Sequence, residues 1–503
     1  MRLGLTVFIA GAATLSVEIC ASRLLAPFFG NSTIVWANVI GLILVYLSVG
    51  YWFGGRLADR RPQRALLGRI ILAAALAVAV VPFVARPFLD ATVRELDTAS
   101  LGAAVGSFIA ALALFAVPVT LLGTVSPFAI RLALPTVERA GTVAGRLYSL
   151  STIGSILGTF GSAVVAVPLV GTQRTLIGTA VLLMLAAGLL LGARWQVLTL
   201  GVAALLAVPP GAIKSVHGML YEGESEYQYI DVRERADGSR VLELNEGVVA
   251  NSLWYPHSVL TGGEWDMFLV VPPLVAHPVR TVLVLGNAGG STARALAALY
   301  PPVEIDGVEL DPKVTEVARR FLGLNRIPRL HVITADARAY LRSTDKRYDV
   351  IAIDTYRQPY IPFQVTTREF FALVRSRLTP GGAVALNVAR VPGDRGLLRA
   401  VAATVRAELG QAWIWDALRF NTLLFAFESR VTHAELVRRV GEAPEAVHPL
   451  VPLFRRQVAA AGFHGGVLTD DRAPVEWLAD RAIVSYVAGG GRLEDDHLPT
   501  RPR

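Results

Sequence analysis

Cysteine is all but missing. Cys20, inside an apolar run, is the only one, so no disulfide framework and no cysteine-based metal site can form within one chain. Lysine is nearly as scarce, at Lys214, Lys313 and Lys346, and arginine therefore carries the formal net charge of +8. Those arginines do not gather with aromatic residues into a patch, which argues against nucleic acid as a partner and for loop charges beside a membrane. Charged residues make up only 17% of the chain, where a soluble protein carries roughly a quarter. Three chemical signatures are also absent. No Gly-x-Gly-x-x-Gly occurs, which argues against a dinucleotide; no Gly-x-Ser-x-Gly elbow and no His-Glu-x-x-His occur, which removes serine hydrolase and zinc protease chemistry.

What is abundant is apolar surface, at 53% hydrophobic residues and a mean hydropathy of +0.49. It is unevenly spread. Residues 1–213 are almost all Leu, Ala, Val, Gly and Ile, and residues 214–503 carry ordinary charge. The expected organisation is an α-helical membrane domain over 1–213, a small β-hairpin domain over 214–272 and an α/β domain over 273–503. Apolar segments long enough to span appear at 3–26, 34–55, 65–88, 102–126, 144–170 and 173–193, against a requirement of ~20 residues. A shorter one follows at 195–211 and ends in Pro209-Pro210. The first is not a cleaved signal peptide, because Glu18 and Arg23 are embedded in it and further spans follow at once. Gly55-Arg-Leu-Ala-Asp59-Arg60 resembles the short loop motif of the major facilitator superfamily, and is equally a basic turn. Arg56, Arg60, Arg61, Arg64 and Arg69 after the second span, with Arg131, Arg139 and Arg146 after the fourth, place both loops on the cytoplasmic side. Six spans then return the chain to the cytoplasm, and a full seventh would export its C-terminal half.

In that half, Tyr227 to Arg233 alternates, Ala236-Asp237-Gly238-Ser239 supplies a hairpin turn, and Val241 to Asn245 returns. Then strands and helices alternate: Thr281–Leu285, a glycine-rich turn Gly286-Asn-Ala-Gly289-Gly290-Ser-Thr292 opening a helix at 291–300, and strands at Val303–Leu310, Leu330–Thr334, Tyr348–Ile353 and Ala383–Val388. This is a doubly wound, Rossmann-like nucleoside-binding sheet. The glycine turn, Glu309, Asp336 and Asp354 fall at successive strand ends, where a crevice forms; a carboxylate ending the second strand suits the two ribose hydroxyls.

These residues resemble spermidine synthases, the polyamine aminopropyltransferases. Val308-Glu309-Leu310-Asp311, Asp336-Ala337, Asp354-Thr355, Thr367-Arg-Glu369-Phe370-Phe371, Tyr227-Gln228-x-Ile230 and Pro273-Leu-Val-Ala-His277 each match a motif of that family. The resemblance covers about 220–390. It implies a decarboxylated S-adenosylmethionine donor held by Gln228, Gly286, Gly289, Gly290, Glu309, Asp336, Ala337 and Asp354, an amine acceptor, no metal, and room for a homodimer. It also implies a bacterial inner-membrane protein, since such domains joined to membrane spans are a recognised bacterial class; the donor is cytoplasmic, so the soluble half is expected there.

The departures bear on chemistry. The family's second Asp after the fourth strand is here Arg357, its glycine-loop Asp is Gly289, and its Tyr-His-Glu triplet aligns with Trp265-Asp266-Met267. The nucleoside half is kept and the diamine half is not; an arginine there repels a polyamine and suits an anionic acceptor. Asp354 is the expected base, with Tyr356, Asp266 and the carboxylates of Thr469-Asp470-Asp471-Arg-Ala-Pro-Val-Glu476 behind it, although a helix N-cap with an acidic first turn accounts for that last segment. Two other readings stay open: a methyltransferase using intact S-adenosylmethionine, and a transporter or sensor whose soluble half binds a nucleoside.

Overall fold

The computed structural model describes residues 2–29, 33–99, 102–207, 213–214, 217–245, 250–357, 360–463, 465–491 and 497–500. Contacts divide the chain into two compact units. One holds residues 1–215 together with 222–229, and the other holds 216–221 and 230–503.

The first unit is helical: α1 Arg2–Phe29, α2 Thr33–Arg60, α3 Arg64–Ala99, α4 Gly102–Gly123, α5 Val125–Ala133, α6 Ala140–Phe160, α7 Val167–Leu191 and α8 Gln196–Ala204. Five stretches among the described residues are long and apolar enough to cross a membrane: Arg2–Phe29, Val35–Arg60, Arg64–Leu89, Val105–Ala133 and Val137–Leu191. The last absorbs two of the six expected segments. Its 55 residues would run about 80 Å if straight, but the backbone leaves the helical region at Gly171 (φ 83°, ψ 164°), so it bends there. A π-helical turn, Gly161–Ala166, precedes the bend.

Small residues let these helices meet backbone to backbone. A methyl built at Gly154 would lie 2.1 Å from the Phe8 carbonyl oxygen, and one at Gly158 2.1 Å from that of Ala12. Polar side chains inside the bundle also pair across helices. Ser162 donates to Ser16 (2.7 Å), and Ser16 shares a hydrogen bond with Thr179 (2.8 Å). Cys20 is buried.

A four-stranded sheet follows, in the order β1 Met219–Glu224, β2 Tyr229–Glu234, β3 Arg240–Leu244 and β4 Ser252–Trp254. It is too small for a core of its own. Ile230, Val232, Leu242 and Leu244 pack on Val314, Val317 and Leu322 of the following α/β region, so the sheet forms no third unit.

That α/β region runs β5 Thr281–Leu285, α9 Ser291–Leu299, β6 Glu304–Glu309, α10 Pro312–Phe321, β7 Leu330–Thr334, α11 Ala337–Ser343, β8 Tyr348–Ile353, α12 Arg368–Ser376, β9 Leu378–Ala389, α13 Gly396–Leu409, β10 Trp413–Trp415, β11 Asn421–Phe427, α14 His433–Arg439, α15 Val451–Gln457, β12 Ala459–Ala460 and α16 Val475–Ala488. The eight strands lie in the order β12-β10-β11-β9-β8-β5-β6-β7. Pairs among β5 to β9 are parallel; β11 joins β9 antiparallel, and β10 and β12 continue so. The architecture is Rossmann-like, with a mixed eight-stranded sheet. The parallel strands stand where the sequence places them, and β9 is longer than expected. The antiparallel edge was not foreseen, because Trp413–Trp415 and Asn421–Phe427 are short apolar runs without a distinctive period. Strand order reverses between β5 and β8, which opens a crevice at their carboxyl ends.

Candidate nucleoside and transfer site

The glycine turn closes that crevice tightly. Gly286 adopts φ +85°, and a Cβ there would lie 2.4 Å from the Asp354 carbonyl oxygen, so only glycine fits between β5 and the end of β8. The amides of Gly286 and Asn287 both donate to Val308 of β6 (3.0 Å each), and Gly290 (φ +78°) precedes α9. Gly289 explains one departure from the family pattern. Its amide donates to the Ser252 hydroxyl (2.8 Å), and a Cβ would sit 2.7 Å from the Ser252 Cβ and from Leu322. A carboxylate side chain has no room there while β4 stays in place.

Glu309 ends β6 and is buried, with 8% of its surface exposed. One oxygen accepts from the Ala288 amide of the glycine turn (2.9 Å) and the other from the Asp311 amide (3.0 Å). Burial raises its pKa, and those amides oppose the rise. Each oxygen keeps a second lone pair, which is what a ribose diol requires. Asp336 follows β7 and caps α11 by accepting from Arg338 (3.0 Å) and Ala339 (2.9 Å); Ala337 is the buried first residue of that helix.

Asp354 leaves β8 with its amide donating to Leu285 (2.9 Å). Its carboxylate accepts from Asn387 Nδ2 (3.0 Å), and Asn421 Nδ2 donates to Asn387 Oδ1 (3.0 Å). Burial lifts the Asp354 pKa to about 6, and the Asn387 hydrogen bond holds it from rising further. Asn387 lies in β9 and Asn421 in β11, so this relay crosses three strands and carries no sequence motif.

The remaining expected residues are placed differently. The Tyr356 hydroxyl donates to the Asn387 carbonyl (3.1 Å) and accepts from the Ala389 amide (2.7 Å), so it ties its loop to β9 and has no proton free for transfer. Its pKa is raised, chiefly by burial and then by the charge of Asp354, with Glu264 contributing. Glu264, which no motif singled out, thus brings a second carboxylate's field to the Asp354 corner.

Asp266 is a correction. It is fully buried and accepts from the Thr261 amide and hydroxyl, the Gly262 amide and the Thr500 hydroxyl, which makes it the clasp of a turn instead of a base open to an acceptor. Arg357 is exposed and pairs by backbone with Tyr360, whose hydroxyl donates to Asp480 of α16. Gln228 falls with the helical unit, its amide donating to the Ser225 hydroxyl (3.0 Å). In the segment after Leu468, Asp470 makes a two-pronged ion pair with Arg338 (2.7 and 2.6 Å) and accepts from Thr367 (2.8 Å), joining the starts of α11 and α12. The next helix begins at Val475, with Glu476 in its first turn. Among the described residues no cluster of His, Cys, Asp or Glu is arranged to hold a metal.

Residues 266–406 match the family model described as a spermine/spermidine synthase domain. A probable polyamine aminopropyl transferase of Bifidobacterium longum is 31% identical over 292 residues, which covers 54% of this chain and 64% of that relative. A polyamine aminopropyltransferase of Vibrio vulnificus is 36% identical over 109 residues, 21% of this chain and 36% of the relative. The chain therefore spans less than two thirds of the length of these relatives. Among solved structures, a probable spermidine synthase from Corynebacterium glutamicum aligns with 19% identity and a TM-score of 0.38, over 56% of this chain and 98% of that one. By the family model and the relatives together, residues 266–406 are similar to a spermine/spermidine synthase domain, carried on a chain whose N-terminal region is a bundle of apolar helices.

Proposed function

We propose that this chain is a membrane-embedded transferase that moves an alkyl group from a sulfonium nucleoside, decarboxylated S-adenosylmethionine, to an amine. The observation that carries this reading is the junction of three strand ends: Gly286 bare against Asp354, with Glu309 bonded to the same turn. Glu309 would take the ribose hydroxyls, and the side-chain-free turn would let the nucleoside lie on the backbone. Asp336 and Ala337 would border the adenine. A sulfonium needs little activation. The acceptor's lone pair forms the new C–N bond, the C–S electrons return to sulfur, and the leaving thioether is neutral. The acceptor's proton then needs a base, and Asp354 is placed for it. With a pKa near 6 it is ionised at neutral pH yet close enough to accept a proton readily.

One observation favours methyl transfer from intact S-adenosylmethionine as a second reading: Gly289 has no space for the carboxylate that holds the donor's ammonium in aminopropyltransferases. Supporting residence in the bilayer, the helical unit exposes large apolar side chains such as Phe160 (64%), Leu169 (77%) and Trp52 (56%), a surface water would disfavour.

The test is calorimetry with methylthioadenosine, followed by transfer assays with each donor. Binding lost in Glu309→Ala, together with amine-dependent aminopropyl transfer lost in Asp354→Asn, is the expected result. Methyl transfer alone promotes the second reading. Tight binding without transfer from either donor points to a sensor or transporter.

A further inference from the structure

The helical unit fixes the end at which the chain leaves it. Gly154 packs on Phe8 and Gly158 on Ala12, so the helix through these glycines runs in the same direction as α1. Beyond the bend at Gly171 the register against α1 reverses. Thr179 meets Ser16 at 2.8 Å, and Thr172 lies near the Arg23 end of α1, because both reach one short segment. The Thr172 amide and hydroxyl each donate to the Glu224 carboxylate at 2.7 Å, while Arg23 donates to the Ser225 carbonyl at 3.2 Å and to that of Glu226. The segment Glu222–Tyr229 therefore sits at the Arg23 end of the bundle.

The arginine-rich loops mark the other end. Asp59, at the close of α2, pairs with Arg131 at 3.1 Å. Gly68, in the second turn of α3, is packed against Leu190 and Leu191, the last residues of α7. So α7 finishes among the arginines. Yet the amides of Ile213 and Lys214 donate to Glu222 at 2.9 and 2.7 Å, back at the Arg23 end. Between Gly192 and Ile213 the chain must travel the length of α7's second half, about 28 Å for Thr172 to Leu191. Helical residues Gln196–Ala207 supply about 18 Å of it, and the six steps to Ile213 can add up to ~20 Å.

We infer that the helical residues Gln196–Ala207 belong to a seventh passage across the bundle, so that Ile213 and Lys214 emerge on the face opposite the arginine loops. Arg56, Arg60, Arg61, Arg64, Arg69, Arg131, Arg139 and Arg146 mark the cytoplasmic face, and Arg194 at the start of the passage agrees. The segment Glu222–Tyr229 then lies on the non-cytoplasmic side, opposite to the side expected from where sulfonium nucleosides are made. A transferase there depends on a transport step that delivers an adenine nucleoside across the membrane. The crossing presupposes the membrane residence proposed for the helical unit.

Single cysteines at Gln63 and Ala236, both exposed, in a Cys20→Ala background of the full chain, separate the crossing from the membrane residence. After an alkaline wash the chain should stay with the membranes; release into the wash overturns the membrane reading, and the crossing with it. In intact cells an impermeant maleimide should label Ala236→Cys and leave Gln63→Cys unlabelled until the cells are opened, a difference of at least tenfold. Labelling of both, or of neither, in intact cells places the two positions on one side and overturns the seventh crossing while the membrane reading stands. Labelling in detergent is the control that each cysteine is reactive.

Discussion

The two sides of the crevice are built differently. On the proposed nucleoside side, Gly286, Glu309 and Asp336 are held by backbone: amides of Ala288 and Asp311 on Glu309, and amides of Arg338 and Ala339 on Asp336. On the proposed acceptor side the holders are side chains from distant elements: Asn387 on Asp354, Asn421 on Asn387, and Asp480 on Tyr360. Backbone donors survive almost any substitution that keeps the fold, whereas a side-chain relay changes with one residue. That contrast fits the proposed reading, in which the nucleoside motifs of the resembled family are present and its acceptor motifs are not.

The sharpest way to break the comparison is Asp354→Asn. Turnover should fall by about 10²–10⁴-fold, the range for loss of a general base, while methylthioadenosine affinity moves less than about threefold. If both fall together, Asp354 belongs to the nucleoside side and the division is wrong. Next comes Glu309→Ala, which should weaken nucleoside binding by about 1–3 kcal/mol in calorimetry and leave the turnover of bound substrate nearly intact. An equal loss in turnover would merge the two sides.

Acidity sharpens the contrast further. A base with its pKa near 6 must be ionised, so activity should fall as pH drops through about 6. Asn387→Ala removes a hydrogen bond to the charged form, so Asp354 should titrate higher and that acid limb should move upward; a limb that stays put means Asn387 does not tune the base. The smallest effect is expected for Tyr360→Phe. Losing its bond to Asp480 should cost about 0.5–1.5 kcal/mol of stability in a thermal melt and raise KM for the acceptor a few-fold, with nucleoside affinity unchanged. An altered nucleoside affinity would show that the loop reaches across the crevice.

The apolar half, the parallel strands and the glycine turn were legible in the sequence because each is a local pattern. Long apolar runs, an uninterrupted strand such as Thr281–Leu285 and a turn needing φ > 0 at Gly286 depend on neighbours in the chain. The same holds for Asp336 and Glu309, which the alternation of strands and helices placed at successive strand ends.

Tertiary structure alone decided the rest. It brought Asn421 onto Asn387, 34 positions away, and Asn387 onto the Asp354 carboxylate. It turned Asp266 into a clasp by closing Thr500 over it from 234 positions away. It pinned the Arg23 end of the bundle to Glu224, which hydropathy cannot report because direction is not encoded in composition. Sequence patterns determine which faces are buried and where the backbone must turn. Which polar groups then find one another is set by how the buried faces stack, since an enclosed carboxylate takes whatever donors the packing brings within reach.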